Sequence, residues 1–223
     1  MSPDTESNTN QLDKALQRLQ GGQQQLIDLA RNMLSNGQTY AMDLLTTAVL
    51  NRSVTMVEGF MTLVRANNTL TALHLVRLHL DSLLRYSAAW LVEDPDGFAM
   101  AVYAGKPVRK MKDRTGALMT DRYLVDKLTE DYDWVSSVYA ETSGYIHLSQ
   151  KHYHSAIRKK EGEERLIESI IRKDDSFIPH SLKIEATEGM VAITRCIYEY
   201  VYGWADTKQG GGQSETNPDA GKE

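Results

Sequence analysis

The sequence predicts an all-α protein, a bundle of about five main helices with disordered ends. Apolar residues recur at steps of three and four over most of the chain, which is the period of an amphipathic helix. No segment shows the sustained alternation of apolar and polar residues that a half-buried strand requires. Breaks in the helical pattern coincide with turn residues such as Asn36-Gly37. The hydrophobic fraction of 41% is enough for a chain of 223 residues to bury a core.

The main helices are predicted in order along the chain. Their expected spans are 11–36, 39–66, 70–92, 121–149 and 182–206. Gly21-Gly22 lies inside the first span and is a candidate break or kink, because glycine disfavours a helix interior. The third span ends at Asp94-Pro95, since proline cannot continue a helix.

The segments between and beyond these helices have weaker patterns. Short helices are expected over 98–105 and 165–171, and residues 106–120 are predicted to form an exposed basic loop. Residues 1–9 are polar and residues 208–223 are Gly-rich and polar, so both ends are predicted to be disordered. One helical domain over residues 10–207 is therefore expected.

The composition argues against several classes of protein. The net charge of -5 does not imply a strongly basic face for non-specific duplex binding. The mean hydropathy is -0.43, and no apolar stretch reaches the length of a membrane span. The first residues lack the basic and apolar segments of a secretory signal. Cys196 is the only cysteine, so an intramolecular disulfide is impossible. A cytoplasmic location without membrane association is expected.

A charged residue interrupts the apolar line of the third predicted helix. Arg77 occupies a position in a series that includes Leu73 and Leu80, where a charge is costly unless it is paired or faces a polar cavity. On a helical wheel, His74, Arg77 and Asp81 fall within about 60° of one another. Two interpretations stay open: an ion pair between Arg77 and Asp81 at a helix–helix contact, or a functional polar cavity.

A second group of polar residues lies near the end of the fourth predicted helix. Tyr139, Ser143 and His147 recur every four residues and share a face. Histidine is the side chain most easily tuned to exchange protons near neutral pH, which makes His147 a candidate acid/base. A hydrogen-bonded structural histidine would give the same pattern. His147, His152 and His154 match no zinc spacing, so neither a metal nor a cofactor is expected.

Two further features have a structural and a functional interpretation. Lys106, Arg109 and Lys110 belong to a local basic cluster, which is either a solvated loop or a contact for phosphate. Cys196 lies among apolar residues of the last predicted helix and is expected in the core rather than as a nucleophile.

Residues 75–95 and 139–147 together resemble an uncharacterised family of all-helical bacterial proteins that is distantly similar to the HEPN bundles and the abortive-infection proteins among them. The resemblance implies a HEPN-like defence or stress protein that cleaves RNA or a nucleotide without a metal, and a homodimer is expected. Arg77 would hold a phosphate and His147 would act as the acid/base, with Asp81 and Tyr145 orienting them. His74 and the basic loop would contribute to binding.

The chain departs from the HEPN ribonuclease pattern in one respect. In that family the Arg and the His lie on one helix, about a turn and a half apart. Here no arginine precedes His147 at that distance, and the matching Arg77 comes from another predicted helix. A non-catalytic helical interaction module, in which the same residues form an internal polar network, is the alternative function. That alternative predicts that Arg77→Met is tolerated or stabilising.

Overall fold

A computed structural model describes residues 3–35, 39–146, 149–159, 167–169, 171–172, 174–175 and 178–211, and its architecture is all-α, as predicted. These residues contain eight α-helices: α1 (Pro3–Leu34), α2 (Ala41–Arg65), α3 (Thr69–Ser87), α4 (Pro95–Tyr103), α5 (Asp121–Asp131), α6 (Trp134–Ile146), α7 (Gln150–Ala156) and α8 (His180–Gly211). Two short strands, β1 (Ile157–Lys159) and β2 (Ile167–Ser169), pair antiparallel. The expected helix over 165–171 is therefore wrong for residues 167–169.

The central helix of the bundle is α3, which packs against α2, α6 and α8. Helix α1 also packs extensively against α8 and α2. The buried side chains on the inner face of α3 are Ala72, Leu73, Val76, His79, Leu80 and Leu83. Among the described residues, no helix is both long and apolar enough to cross a membrane.

The first helix is longer than its sequence predicts, and it is continuous from Pro3 to Leu34. It starts at Pro3, inside the segment 1–9 for which disorder is expected, and proline suits a first helical position because its missing N–H would be unpaired there anyway. Gly21-Gly22 does not end the helix. A Cβ atom on Gly22 would lie 3.3 Å from the Cγ2 atom of Thr194, so this glycine allows α1 to approach α8 closely.

The expected single helix over 121–149 is divided into α5 and α6, which is one reason why five main helices are too few. Tyr132 leaves the helical conformation at the end of α5. Its hydroxyl donates a 2.8 Å hydrogen bond to Glu199 of α8. This contact joins residues far apart in sequence, so local periodicity could not reveal the break.

The last helix continues past the predicted boundary to Gly211, so residues 208–211 are helical rather than disordered. Lys208 Nζ lies 2.9 Å from Asp43 Oδ2, and the two side chains are only 8% and 3% exposed. The indole N–H of Trp204 donates to the other oxygen of Asp43 at 2.8 Å. These contacts hold the end of α8 against the start of α2.

The basic loop after α4 is anchored rather than wholly exposed. Its apolar residues Val108, Met111 and Met119 are buried. Arg114 donates side-chain hydrogen bonds to the carbonyl oxygens of residues 90–92, which follow α3 in the chain. The loop therefore packs beside the C-terminal end of α3, while Lys106, Arg109 and Lys110 remain exposed.

Candidate functional site

Arg77 stacks on an aromatic ring of the neighbouring helix. Its guanidinium carbon lies 4.1 Å from the centroid of the Tyr139 ring, which brings α3 and α6 together. A cation over an aromatic face is stabilised by the negative potential of that face. This contact explains how a half-buried arginine is accommodated without a carboxylate.

The expected ion pair between Arg77 and Asp81 is not formed. Asp81 instead pairs with Arg85, at 3.2 Å between Oδ1 and Nη2. The same guanidinium nitrogen lies 2.5 Å from Oδ1 of Asp121 at the start of α5. Asp81 thus takes part in the contact between α3 and α5, and it does not orient Arg77.

His74 lies one turn before Arg77 on α3, and the tautomer of its neutral ring follows from its partner. The Nδ1 atom is 2.8 Å from the carbonyl oxygen of Leu70. Because a carbonyl can only accept a hydrogen bond, Nδ1 carries the proton and the lone pair of the neutral ring is on Nε2. His74 is therefore held in the tautomer that can accept a proton at Nε2.

Leu70 links His74 to Asp175 through its two backbone groups. Its N–H group donates to Oδ2 of Asp175 at 2.7 Å, while the Leu70 carbonyl accepts from His74. The side chain of Asn68, which precedes α3, makes no capping hydrogen bond. Asp175 therefore supplies the N-terminal cap of the helix that carries His74.

His152 of α7 lies next to His74, with 6.3 Å between the ring centroids. Its Nδ1 atom accepts a hydrogen bond from the backbone N–H of Ser149 at 3.2 Å. The proton of the neutral ring is consequently on Nε2, the opposite arrangement to that of His74. Tyr145 of α6 is 6.4 Å from His152 between ring centroids, so both predicted site residues, His74 and Tyr145, adjoin His152.

His147 and the residues of the basic loop are the other predicted site residues. His147 lies outside the described residues, so its role as acid/base stays a prediction. Lys106, Arg109 and Lys110 belong to the loop at the far end of α3. The helical rise alone puts the end of α3 about 15 Å beyond Arg77. The structure does not bring the basic loop into contact with His74 or Arg77.

A cavity of about 100 Å³ lies between α3, α6 and α8, beside the cluster of His74, Tyr145 and His152. Its lining includes Leu73, Val76, Val138, Thr142, Tyr145 and Glu185. Tyr145 belongs to both this cavity and the surroundings of His152. The cluster therefore borders a partly enclosed space rather than a dry core.

Sequence reasoning missed two buried polar groups. His79 is fully buried, and burial together with the nearby positive charge of Arg52 lowers its pKa to about 3. Asp43 is the other, in its contact with Lys208. His79 could have been found from its spacing, since it continues the helical series that includes Val76 and Leu83.

Cys196 is buried, in agreement with its expected place in the core. Burial, with the nearby charge of Glu199, raises the pKa of its thiol to about 12. A thiol with such a pKa is not a thiolate nucleophile at neutral pH.

The described part of the chain thus presents a proton acceptor, an N–H donor and a guanidinium on adjoining helices. Comparison with protein-family models, with curated proteins and with solved structures finds no match.

Proposed function

We propose that the protein cleaves RNA without a metal, at the site formed by His74, Arg77 and His152. The observation that carries the proposal is the opposite tautomers of two adjoining histidines. A general base accepts a proton through a lone pair, whereas a stabilising donor presents an N–H group to developing negative charge. The neutral rings of His74 and His152 are held in these two different forms.

The proposed reaction uses the 2′-hydroxyl of RNA as the nucleophile. His74 Nε2 takes its proton while the 2′-oxygen attacks phosphorus, and the bond from phosphorus to the 5′-oxygen breaks. The leaving 5′-oxygen takes a proton from water, which gives a 2′,3′-cyclic phosphate and a 5′-hydroxyl. His152 Nε2–H and Arg77 stabilise the charge on the phosphoryl oxygens.

The hydrogen bond between His74 and Leu70 also favours the role of His74 as the general base. The Leu70 carbonyl oxygen accepts from Nδ1–H, and that hydrogen bond strengthens when the ring becomes positively charged. The resemblance of residues 75–95 and 139–147 to HEPN proteins supports RNA, or a nucleotide, as the substrate. It also supports a role in bacterial defence or stress, a homodimeric state and the participation of His147. On this proposal Asp81 has no catalytic role.

The proposal is tested with purified protein and mixed RNA in the presence of EDTA. Wild type is expected to yield cyclic-phosphate ends, and His74→Gln is expected to lower the rate at least about 100-fold, the usual contribution of a general base. Lys14→Gln is the control because Lys14 is exposed on α1 and has no role in the proposed site. Circular dichroism checks that the variants remain folded. Wild-type protein that neither cleaves RNA nor arrests growth on expression excludes the proposal.

A second function is favoured by the stacking of Arg77 on Tyr139. This contact stabilises the charge of Arg77 within the protein itself. A non-catalytic interaction module requires such an internal partner for the arginine. On that view Arg77→Met retains the fold and has no activity to lose. A thermal melt of this variant beside the RNA assay distinguishes the two functions.

A further inference from the structure

A groove runs between α6 and α8, both of which pack on α3 without packing closely on each other. We call it the α6–α8 groove. It contains the cavity of about 100 Å³ near Tyr145 and a more open one of about 410 Å³ near Trp134. Its apolar walls include Trp134, Val138, Tyr145, Leu182, Ala186 and Ala192.

The length of the groove suits a short helix. The two helices run in opposite directions, since Tyr145 lines the same cavity as Leu182, and Trp134 the same cavity as Glu199. The distance from Trp134 to Tyr145 along α6 is about 16 Å, or three helical turns. Apolar residues on one face of a helix of this length would enter both cavities.

The charge of the groove specifies the polar face of its occupant. Four carboxylates and one guanidinium belong to the lining: Glu141, Glu185, Glu188, Glu199 and Arg195. Glu199 pairs with Arg195 inside the groove, and Glu188 with Arg18 of α1. Glu185 is exposed and forms no ion pair with another described residue. The excess of carboxylates in the lining attracts a basic partner.

We propose that the α6–α8 groove binds a basic amphipathic helix of a partner protein. The apolar face of the helix packs against Val138 and Ala192, and its lysine and arginine side chains face Glu185 and the neighbouring carboxylates. The net charge of -5 favours the approach of such a segment over long range. This proposal does not depend on RNA cleavage, because no residue of the groove walls is assigned the base or the phosphate contact.

The test measures fluorescence anisotropy of three labelled peptides with the full chain. The first has leucines at helical spacing and lysines on the other face, the second has glutamates in place of the lysines, and the third is a scrambled form of the first. Only the first is expected to bind. Equal binding of the scrambled peptide would show charge attraction without docking and would overturn the proposal, as would no binding of the first.

Matched variants locate the binding. Glu185→Lys is expected to lower the affinity for the first peptide at least tenfold. Ala192→Trp, which fills the groove, is expected to lower it at least as much. Glu93→Lys is the control, since Glu93 is exposed and lies outside the groove. Equal losses of affinity for Glu93→Lys and Glu185→Lys exclude this site.

Sedimentation of the chain alone tests whether a second copy of the chain is the occupant. Self-association that Ala192→Trp abolishes contradicts the proposal. Peptide binding by protein that cleaves no RNA would retain this inference while excluding the proposed reaction.

Discussion

The Nε2 atom of His79 lies 3.0 Å from the hydroxyl oxygen of Thr194 in the core between α3 and α8. Thr194 has one hydroxyl proton, which it donates to the carbonyl oxygen of Met190 at 2.7 Å. His79 must therefore be the donor at Nε2, and its Nδ1 carries a lone pair. That Nδ1 atom is buried and has no hydrogen-bond partner among the described groups. The contact holds His79 as a neutral ring.

His79 is expected to make stability depend on pH between about 6.5 and about 3. Burial, with the nearby charge of Arg52, lowers the folded pKa to about 3, so the unfolded chain takes up a proton that the folded chain refuses. The free energy of unfolding should fall by at most about 1.4 kcal/mol per pH unit as the pH decreases through this window. Urea unfolding at a series of pH values measures the slope. His79→Gln keeps an N–H donor and should flatten it; an unchanged slope would assign the effect to other groups.

Removal of Lys208 is expected to destabilise the fold by about 3 kcal/mol, because it leaves the buried charge of Asp43 without its cation. Lys208→Met is compared with Asp43→Asn/Lys208→Met by urea unfolding. The double variant should be the more stable of the two, since it buries no unpaired charge. Equal stability of both would show that Asp43 is solvated when Lys208 is absent.

Asp43 should also contribute to acid unfolding, in a different pH window from His79. Burial opposes its ionisation, but hydrogen bonds from the Tyr40 N–H, Lys208 and Trp204 outweigh burial and hold its pKa below the ordinary value of 3.8. A carboxyl with a lowered folded pKa stabilises the protein above its unfolded pKa. The contribution is lost only as the pH falls below about 4. Asp43→Asn should remove this acid dependence, while a control Asp13→Asn on α1 should not.

The stacking of Arg77 on Tyr139 should appear as an energetic coupling between α3 and α6. We expect a coupling of about 0.5–2 kcal/mol in a double-mutant cycle of Arg77→Met and Tyr139→Leu. Arg77→Lys should recover only part of it, because an ammonium lacks the planar face of a guanidinium. The free energies of the four proteins come from urea unfolding. Additive effects of the two substitutions contradict a direct contribution from the stack.

Loss of the cap on α3 should affect both stability and the orientation of His74. Asp175→Ala is expected to lower the free energy of unfolding by about 1 kcal/mol, the usual effect of removing a helix cap. If His74 is the base, the same change lowers the cleavage rate below that of an equally destabilised protein. Asp13→Ala is the control because Asp13 is exposed on α1, far along the chain from this cap. The ring signals of His74 in an NMR spectrum report whether its orientation changes.

Helical periodicity was sufficient for the fold class, because each long helix buries a continuous apolar face. It was less accurate about which residues face inward. Leu73 and Leu80 belong to the buried stripe of α3, but Arg77 between them is only half-buried, and the polar residue fully inside the stripe is His79. A shift of one or two residues moves a side chain by 100–200° around a helix, so spacing alone did not distinguish the two.

The parts of the structure that sequence reasoning could not supply depend on distant residues. The division of α5 from α6 involves Glu199, and the continuation of α8 involves Asp43. His152 was recognised in the sequence only as an unconvincing metal ligand. Its place beside His74 depends on how α7 packs near α3, for which the sequence has no periodic signal.

The bond between Asp175 and Leu70 spans 105 residues of chain. During synthesis, α3 leaves the ribosome long before Asp175 does, so its first turn lacks this cap until most of the protein has been made. The first turn of α3, whose Leu70 carbonyl accepts the hydrogen bond of His74, therefore gains its cap late. A nascent or shortened chain can contain all of α3 and yet have an unformed histidine pair. The order of synthesis would keep the proposed site inactive until the chain is nearly complete.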